Sequence, residues 1–161
     1  MPKPTSPTSL VTSIEQVSRL IHASGYAEGL YPAQWAALRY FAEASPASRT
    51  TAGLARFQGL TLGSVARTVR TLVVKGLLAR QSNPRSRRAD LIALTSMGEE
   101  LLQRDPRALL VSLLDSLPAA HQEALATAVE TLLRGLFSER LGGGTAGTIV
   151  PRLEGALAPG Y

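Results

Sequence analysis

The sequence predicts a mainly α-helical fold with one small β-hairpin. Apolar residues recur at three- and four-residue steps in several separate stretches. Two short strand-like runs, residues 77–80 and 91–94, interrupt them once, and a turn-forming, arginine-rich segment joins the two. The chain has 161 residues, 45 % apolar and 18 % charged, which suits one domain with a real core.

Residues 1–8 are rich in Pro, Ser and Thr and read as a disordered arm. A helix from residue 8 or 9 to 24 carries Leu10, Ile14, Val17 and Ile21 on one stripe, widened by Val11 and Leu20. Gly25 and Gly29 end it. A second helix, 32–44, starts at Pro32 and presents Trp35, Leu38 and Phe41. Thr50 caps a short third helix, 51–58, closed by Gly59. The fourth runs from 62 to 75 between the cap Thr61 and the stop Gly76. On it Leu62, Val65, Ala66, Val69, Leu72 and Val73 share a face, with Ser64, Arg67, Thr68 and Thr71 opposite.

The hairpin follows, with Asn83-Pro84 as its turn signal and Arg85, Arg87 and Arg88 at its tip. Thr95 caps a fifth helix reaching residue 117, with a kink or break at Asp105-Pro106. A sixth, 118–140, carries Leu125, Val129, Leu132, Leu133, Leu136 and Phe137. Gly142-Gly143-Gly144 ends it, and residues 142–161 read as a flexible tail.

The formal charge is only +5, but its distribution is uneven. No acid lies between Glu43 and Asp90, while nine of the 17 basic residues do. From Asp90 onward nine acids face five arginines. An ordinary solvated surface mixes both signs, so a one-sign segment points to a polyanionic partner.

Several functions lose support. There is no cysteine, so disulfides, thiolate zinc sites and cysteine-based redox sensing are excluded. His22 and His121 are far apart and form no metal-ligand spacing, so neither metal nor cofactor is expected. Ser9, Ser13 and His22 supply no acid–base–nucleophile arrangement, and no glycine-rich phosphate loop is present, so the chain is not expected to be an enzyme. No apolar run has the length of a membrane span and the N-terminus lacks a secretory stretch, so a cytoplasmic location is expected, without membrane binding.

A short helix, a tight turn at Gly59-Leu60 and an amphipathic helix make a helix-turn-helix, and the hairpin makes its wing. The major groove of B-DNA admits one helix, read by polar groups near its N-terminus. Thr61, Ser64, Arg67, Thr68 and Thr71 are the candidates there. Arg85, Arg87 and Arg88 are candidates for the minor groove, whose negative potential attracts arginine. Arg70 and Lys75 read either as phosphate contacts or as solvated charges. Arg39, Arg104 and Arg134 read as solvated helix positions.

Residues 30–102 resemble the MarR family of bacterial regulators. The resemblance rests on Pro32-Ala33-Gln34-Trp35, Leu38, Leu54-Ala55, Ser64-Val65, Val69, Leu72, Lys75-Gly76-Leu77-Leu78 and Arg80. It continues in Arg87-Arg88-Ala89, Leu91-Ile92-Ala93-Leu94-Thr95 and Gly98. The family's wing reads Asp-Pro-x-Asp-Arg-Arg; here Asn83 and Ser86 replace both acids.

The resemblance implies a winged helix-turn-helix with flanking dimerisation helices: a dimerisation helix over 9–30, a DNA-binding domain over 31–98 and further dimerisation helices over 99–141. It implies a homodimer that binds double-stranded DNA at a near-palindromic operator, repressing by default and relieved by a ligand. Effectors of such regulators are small anionic or aromatic molecules held between the dimer helices and the DNA-binding lobe. Arg19, His22, Tyr26 and Trp35 are candidates to line such a pocket; equally, Trp35 and the tyrosines are packing residues. The rival function is a winged-helix protein–protein interaction module using the basic wing and the C-terminal tail.

Overall fold

The computed structural model describes residues 6–84 and 89–141. Seven α-helices, one 3-10 turn and one hairpin follow in the order α1 (Pro7–Ser24), α2 (Pro32–Glu43), the 3-10 turn Pro46–Ser48, α3 (Thr51–Gln58), α4 (Leu62–Val74), β1 (Leu78–Gln81), β2 (Leu91–Leu94), α5 (Ser96–Leu102), α6 (Ala108–Asp115) and α7 (Ala119–Leu141). The fold class is the one the sequence implies.

Helix starts follow side-chain caps. Thr50, Thr61 and Thr95 each accept from the backbone N–H three residues on, at 2.9, 3.4 and 3.1 Å. α1 begins at Pro7, one or two residues earlier than the sequence predicts, so Pro7 and Thr8 belong to the helix and not to an arm: Ser6 accepts from the Ser9 N–H at 3.2 Å and Pro7 suits the first helical position. α3 stops at Gly59, whose φ of 62° is left-handed, and the Leu60 N–H folds back to the Ala55 carbonyl at 3.0 Å. That closure sets the tight turn into α4.

The two strands are antiparallel, with Leu78 opposite Leu94 and Gln81 opposite Leu91. Arg80 pairs with Asp90 at the loop end of the strands at 3.2 Å. On the other edge of β2, the Ile92 N–H donates to the Arg49 carbonyl at 2.7 Å, tying the hairpin to the segment before α3. Thr95 adds a bond from its hydroxyl to the Gly76 carbonyl at 2.6 Å. One element thus ends α4, starts α5 and anchors the hairpin.

The core lies among α2, α3, α4, the hairpin and α5. Trp35, Leu38, Phe41, Leu54, Val69 and Leu72 are fully enclosed in it. Leu62 departs from its expected face. It is 56 % exposed, because it occupies the first turn of α4, beyond the corner where Leu60 also stands in solvent. Val65, one turn on, is the first α4 residue to reach the core.

α1 and α6 bury no residue in this chain. Leu10, Ile14, Val17 and Ile21 on α1, Leu109 and Leu113 on α6, and Leu125, Val129 and Leu132 on α7 are all exposed. Residues 25–31 join α1 to α2 and contain a tight turn. Glu28 and Gly29 both have positive φ, 53° and 69°, and the Leu30 N–H donates to the Ala27 carbonyl at 2.9 Å, as in a type I′ turn.

At Asp105-Pro106 the helix breaks rather than kinks, giving α5 and α6 as separate elements. Here Arg39 departs from its reading as a solvated position. Its guanidinium forks onto the Asp105 carboxylate at 2.7 and 2.6 Å, with the two side chains only 20 % and 13 % exposed. Residues 66 apart in sequence meet because α2 packs beside the end of α5. Burial alone would push the Asp105 carboxyl up. Hydrogen bonds from Arg39 and from the Arg107 amide, with both guanidinium charges, hold it below the ordinary carboxylate value. Arg104 pairs with Glu28 at 3.2 Å and Arg134 with Glu130 at 2.9 Å, both in solvent-exposed positions.

Two stability outcomes follow from this packing. A Cβ at Gly98 would run into the Leu77 carbonyl oxygen, a backbone atom with little room to yield. Gly98→Ala is expected to lower the unfolding free energy by about 1–3 kcal/mol, measured by urea titration. Asp105→Asn is expected to cost about 1–3 kcal/mol at neutral pH. Since the folded pKa lies below 3.8, this stabilisation is complete above pH 3.8 and is lost as the pH falls through the lower folded value. Urea titrations of both proteins at pH 7 and pH 3 should therefore differ in their gap, with the smaller gap at pH 3.

Candidate nucleic-acid interface

The exposed face of α4 begins at Thr61 and includes Ser64, Arg67 and Arg70, with Thr68 and Thr71 half-buried beside it. Its position is fixed from behind. Val65, Val69 and Leu72 sit in the core against α2 and α3, so the opposite face has no choice but to look outward.

The hydroxyls on this face are occupied by their own helix. The Ser64 hydroxyl donates to the Thr61 carbonyl at 2.9 Å, Thr71 to the Arg67 carbonyl at 3.0 Å and Thr68 to the Ser64 carbonyl at 3.5 Å. What they still offer outward is acceptor lone pairs. Arg67 and Arg70 are different: neither makes an ion pair among the described residues, so their guanidinium donors face solvent. Lys75 does not join them, because its ammonium donates to the Gly29 carbonyl at 2.6 Å and ties the α1–α2 turn to the end of α4.

Phe57, Leu60 and Leu62 stand exposed around the turn that precedes this face. Sequence periodicity had no means of separating them from core positions, since they lie at the corner between two helices. Arg85, Arg87 and Arg88 lie outside the described residues, as does Ser86. The strands that lead to them are held by the register of β1 against β2, with the Arg80–Asp90 pair at the loop end.

A second candidate site sits at the end of α1. Arg19, His22 and Tyr26, with Ser18 and Ala23, line an open hollow of about 530 Å³. The His22 and Tyr26 rings meet edge to face at 5.6 Å, and Tyr26 meets Tyr31 in the same way at 5.8 Å. Arg19 donates to the Gln16 amide oxygen at 2.7 Å. Trp35, expected beside them, is not part of this hollow. It is fully buried, and its indole N–H donates to the Ala27 carbonyl at 3.3 Å. A large aromatic at the start of the central helix serves the core, and the α1–α2 turn closes over it.

Sequence reasoning missed the charge pairs at the α5–α6 break. Arg39 was legible only as a polar residue on a helix, and Asp105 only as a helix breaker. Their meeting depends on long-range packing that no local pattern encodes. Among the described residues no cluster of three or more His, Asp or Glu could hold a metal ion, and no helix is long and apolar enough to cross a membrane.

The family model described as "MarR family" matches residues 28–89. No curated protein matches the chain in sequence. Among solved structures, a probable transcriptional regulator from Pseudomonas aeruginosa shares 25 % identity over 79 % of this chain and 96 % of its own, with a TM-score of 0.61. A mutant MarR from E. coli complexed with operator DNA shares 22 % identity over 78 % and 92 % of the two chains, with a TM-score of 0.60. CouR from Rhodococcus jostii RHA1, bound to p-coumaroyl-CoA, shares 19 % identity over 82 % and 95 %, with a TM-score of 0.64. The last two share the fold.

Proposed function

We propose that this chain, whose residues 28–89 carry a MarR-family winged helix-turn-helix, is a homodimeric transcriptional regulator that binds double-stranded DNA in the cytoplasm. The observation that carries the reading is the outward face of α4: no acids, two guanidiniums that make no ion pair among the described residues, and a row of acceptor hydroxyls on a helix held from behind by the core. In this reading residues 31–98 form the DNA-binding domain. Arg67 forks onto a guanine edge in the major groove, with Ser64 and Thr68 accepting from base amino groups. Thr61 and the first turn of α4 receive a phosphate, and Thr71 and Arg70 lie along the backbone. Arg85, Arg87 and Arg88 extend from the hairpin into the adjacent minor groove.

Residues 9–30 and 99–141 supply the dimer contacts. Apolar side chains along α1, α6 and α7 stand in water in one chain, and full burial of each is worth about 1.5–3 kcal/mol. A two-fold pairing of these faces places two α4 helices in successive major grooves, which calls for a near-palindromic operator. The hollow at Arg19, His22 and Tyr26 suits a small aromatic acid, with Arg19 or His22 pairing its carboxylate and Tyr26 packing on its ring. A ligand there that favours another dimer geometry releases the operator, which makes the regulator a ligand-responsive repressor. The structure of CouR with p-coumaroyl-CoA supports an aromatic effector by analogy of fold.

Two measurements test the reading. Fluorescence anisotropy against a duplex from upstream of this chain's own gene, beside a scrambled duplex at two salt concentrations, should show a preference of about a thousandfold or more and a steep loss with salt. Arg67→Ala should weaken the specific duplex by about 1–3 kcal/mol and leave the scrambled one nearly unchanged, whereas Arg70→Ala should weaken both alike. Arg87→Ala should weaken duplex binding without unfolding the protein. Equal, weak binding to both duplexes would favour the protein–protein interaction module instead. Separately, sedimentation equilibrium should give a dimer for the wild type and a monomer for Leu132→Glu; a monomeric wild type would remove the palindromic operator from the reading.

A further inference from the structure

Arg39 and Glu43 are four residues apart and share one face of α2. Opposite them, Asp105 and Arg107 sit in the short segment between α5 and α6. The signs match across the gap: Arg39 forks onto Asp105, and the Arg107 guanidinium meets Glu43 at 2.9 Å. Asp105 also accepts the Arg107 backbone N–H at 2.7 Å, so one carboxylate holds both the α2 guanidinium and the first residue of the new direction. Arg39 itself lies over the fully buried Trp35 ring, 5.9 Å from its centre.

The quartet stands where the chain changes allegiance. α5 belongs to the core through Leu101, whereas α6 buries nothing in this chain and carries exposed leucines. Pro106 has no N–H, and the helical ladder is interrupted between them. The direction in which α6 leaves the lobe is therefore set by side-chain pairs rather than by continuous helix.

We propose that this quartet, with the Arg39–Asp105 fork at its centre, is the positioning element that sets which spacing of operator half-sites the dimer accepts. The inference rests on the dimeric DNA-binding reading above. Recognition helices about 34 Å apart lie about 17 Å from the two-fold axis. A tilt of each lobe by about 10° about its own joint, over a lever arm of about that length, moves each recognition helix by about 3 Å; because both move, the spacing changes by about 6 Å, close to two base-pair rises of about 3.4 Å. A bidentate fork restrains such a tilt because it fixes direction as well as distance. An apolar contact would permit sliding.

The test uses the full chain and duplexes selected by the wild type from a random pool. Their two half-sites are then moved apart or together by one and two base pairs, and a single half-site duplex serves as control. Arg39→Met and Asp105→Asn are expected to keep single-half-site affinity within about threefold while the preference for the selected spacing over its neighbours falls at least tenfold. Arg39→Lys, which keeps the charge but cannot make two parallel bonds, is expected to lose part of that preference, and it decides the matter if the other two do not fold. Retention of the wild-type spacing preference in every folded variant overturns the inference while leaving the regulator intact. A wild type that selects no duplex, or binds all spacings alike, overturns the dimeric reading and the inference with it.

Discussion

Every buried apolar side chain among the described residues lies between Leu30 and Leu101. That confinement governs the rest of the chain. α2 is the centre of the packing, with Trp35, Leu38 and Phe41 enclosed by α3, α4, the hairpin and α5. The helices outside this span, α1, α6 and α7, carry leucine, valine and isoleucine in ordinary amphipathic stripes but have no core of their own to bury them in. A stripe of that breadth on three helices of one chain is a surface in need of a partner. The lobe thus has its own core, while the described parts of the flanking helices leave their stripes exposed; in the proposed dimer a second copy supplies matching stripes.

The charge pattern acts in the opposite sense, emptying one surface of partners. No acid lies between Glu43 and Asp90, and among the described residues Arg67 and Arg70 make no ion pair. Elsewhere in the fold arginines are consumed internally: Arg39 by Asp105, Arg80 by Asp90, Arg104 by Glu28, Arg107 by Glu43. Keeping Arg67 and Arg70 unpaired costs little, because both remain in water. The hydroxyls around them are bonded to helix carbonyls, so the face presents donors at two fixed positions and acceptors at the others. This arrangement is more selective than charge alone, since a polyanion needs only the donors.

Much of this was legible in the sequence because its signals are local. Caps at Thr50, Thr61 and Thr95 and the left-handed glycine at 59 are short-range chemistry, and the helix bounds fall close to them. Gly98 belonged to the motif for a reason that only packing shows, the Leu77 carbonyl lying where a Cβ would go. Failures came where local pattern and tertiary position part. Leu62 has helical periodicity but lies past the corner of the core. Trp35 admitted two readings in the sequence, pocket lining or packing, and its full burial in the lobe goes with packing. Arg39 looked solvated because its partner is 66 residues away. The arginines of the wing tip, Arg85, Arg87 and Arg88, remain a reading of the sequence alone.

The Phe137 ring of α7 lies against Gly59 at the α3–α4 turn, and two further joints between the flanking helices and the lobe are polar. At one, the type I′ turn of Glu28-Gly29 is held by Lys75, by the Trp35 indole and by the Arg104–Glu28 pair. At the other stand Arg39, Asp105, Arg107 and Glu43. Apolar packing between lobe and flanking helices would hold them together across a range of angles, since it has no direction. Hydrogen bonds specify an angle, and a net contribution of about 0.5–3 kcal/mol each keeps that specification within reach of other forces. Coupling energies between distant sites are typically about 1–3 kcal/mol, the same size. In the proposed dimeric regulator, a ligand at the end of α1 therefore would not need to disturb the core of the lobe to alter how two lobes face one another. It needs only to favour a different set of bonds at the joints, and the hollow lined by His22 and Tyr26 lies on α1 and its exit, immediately before the Glu28-Gly29 turn.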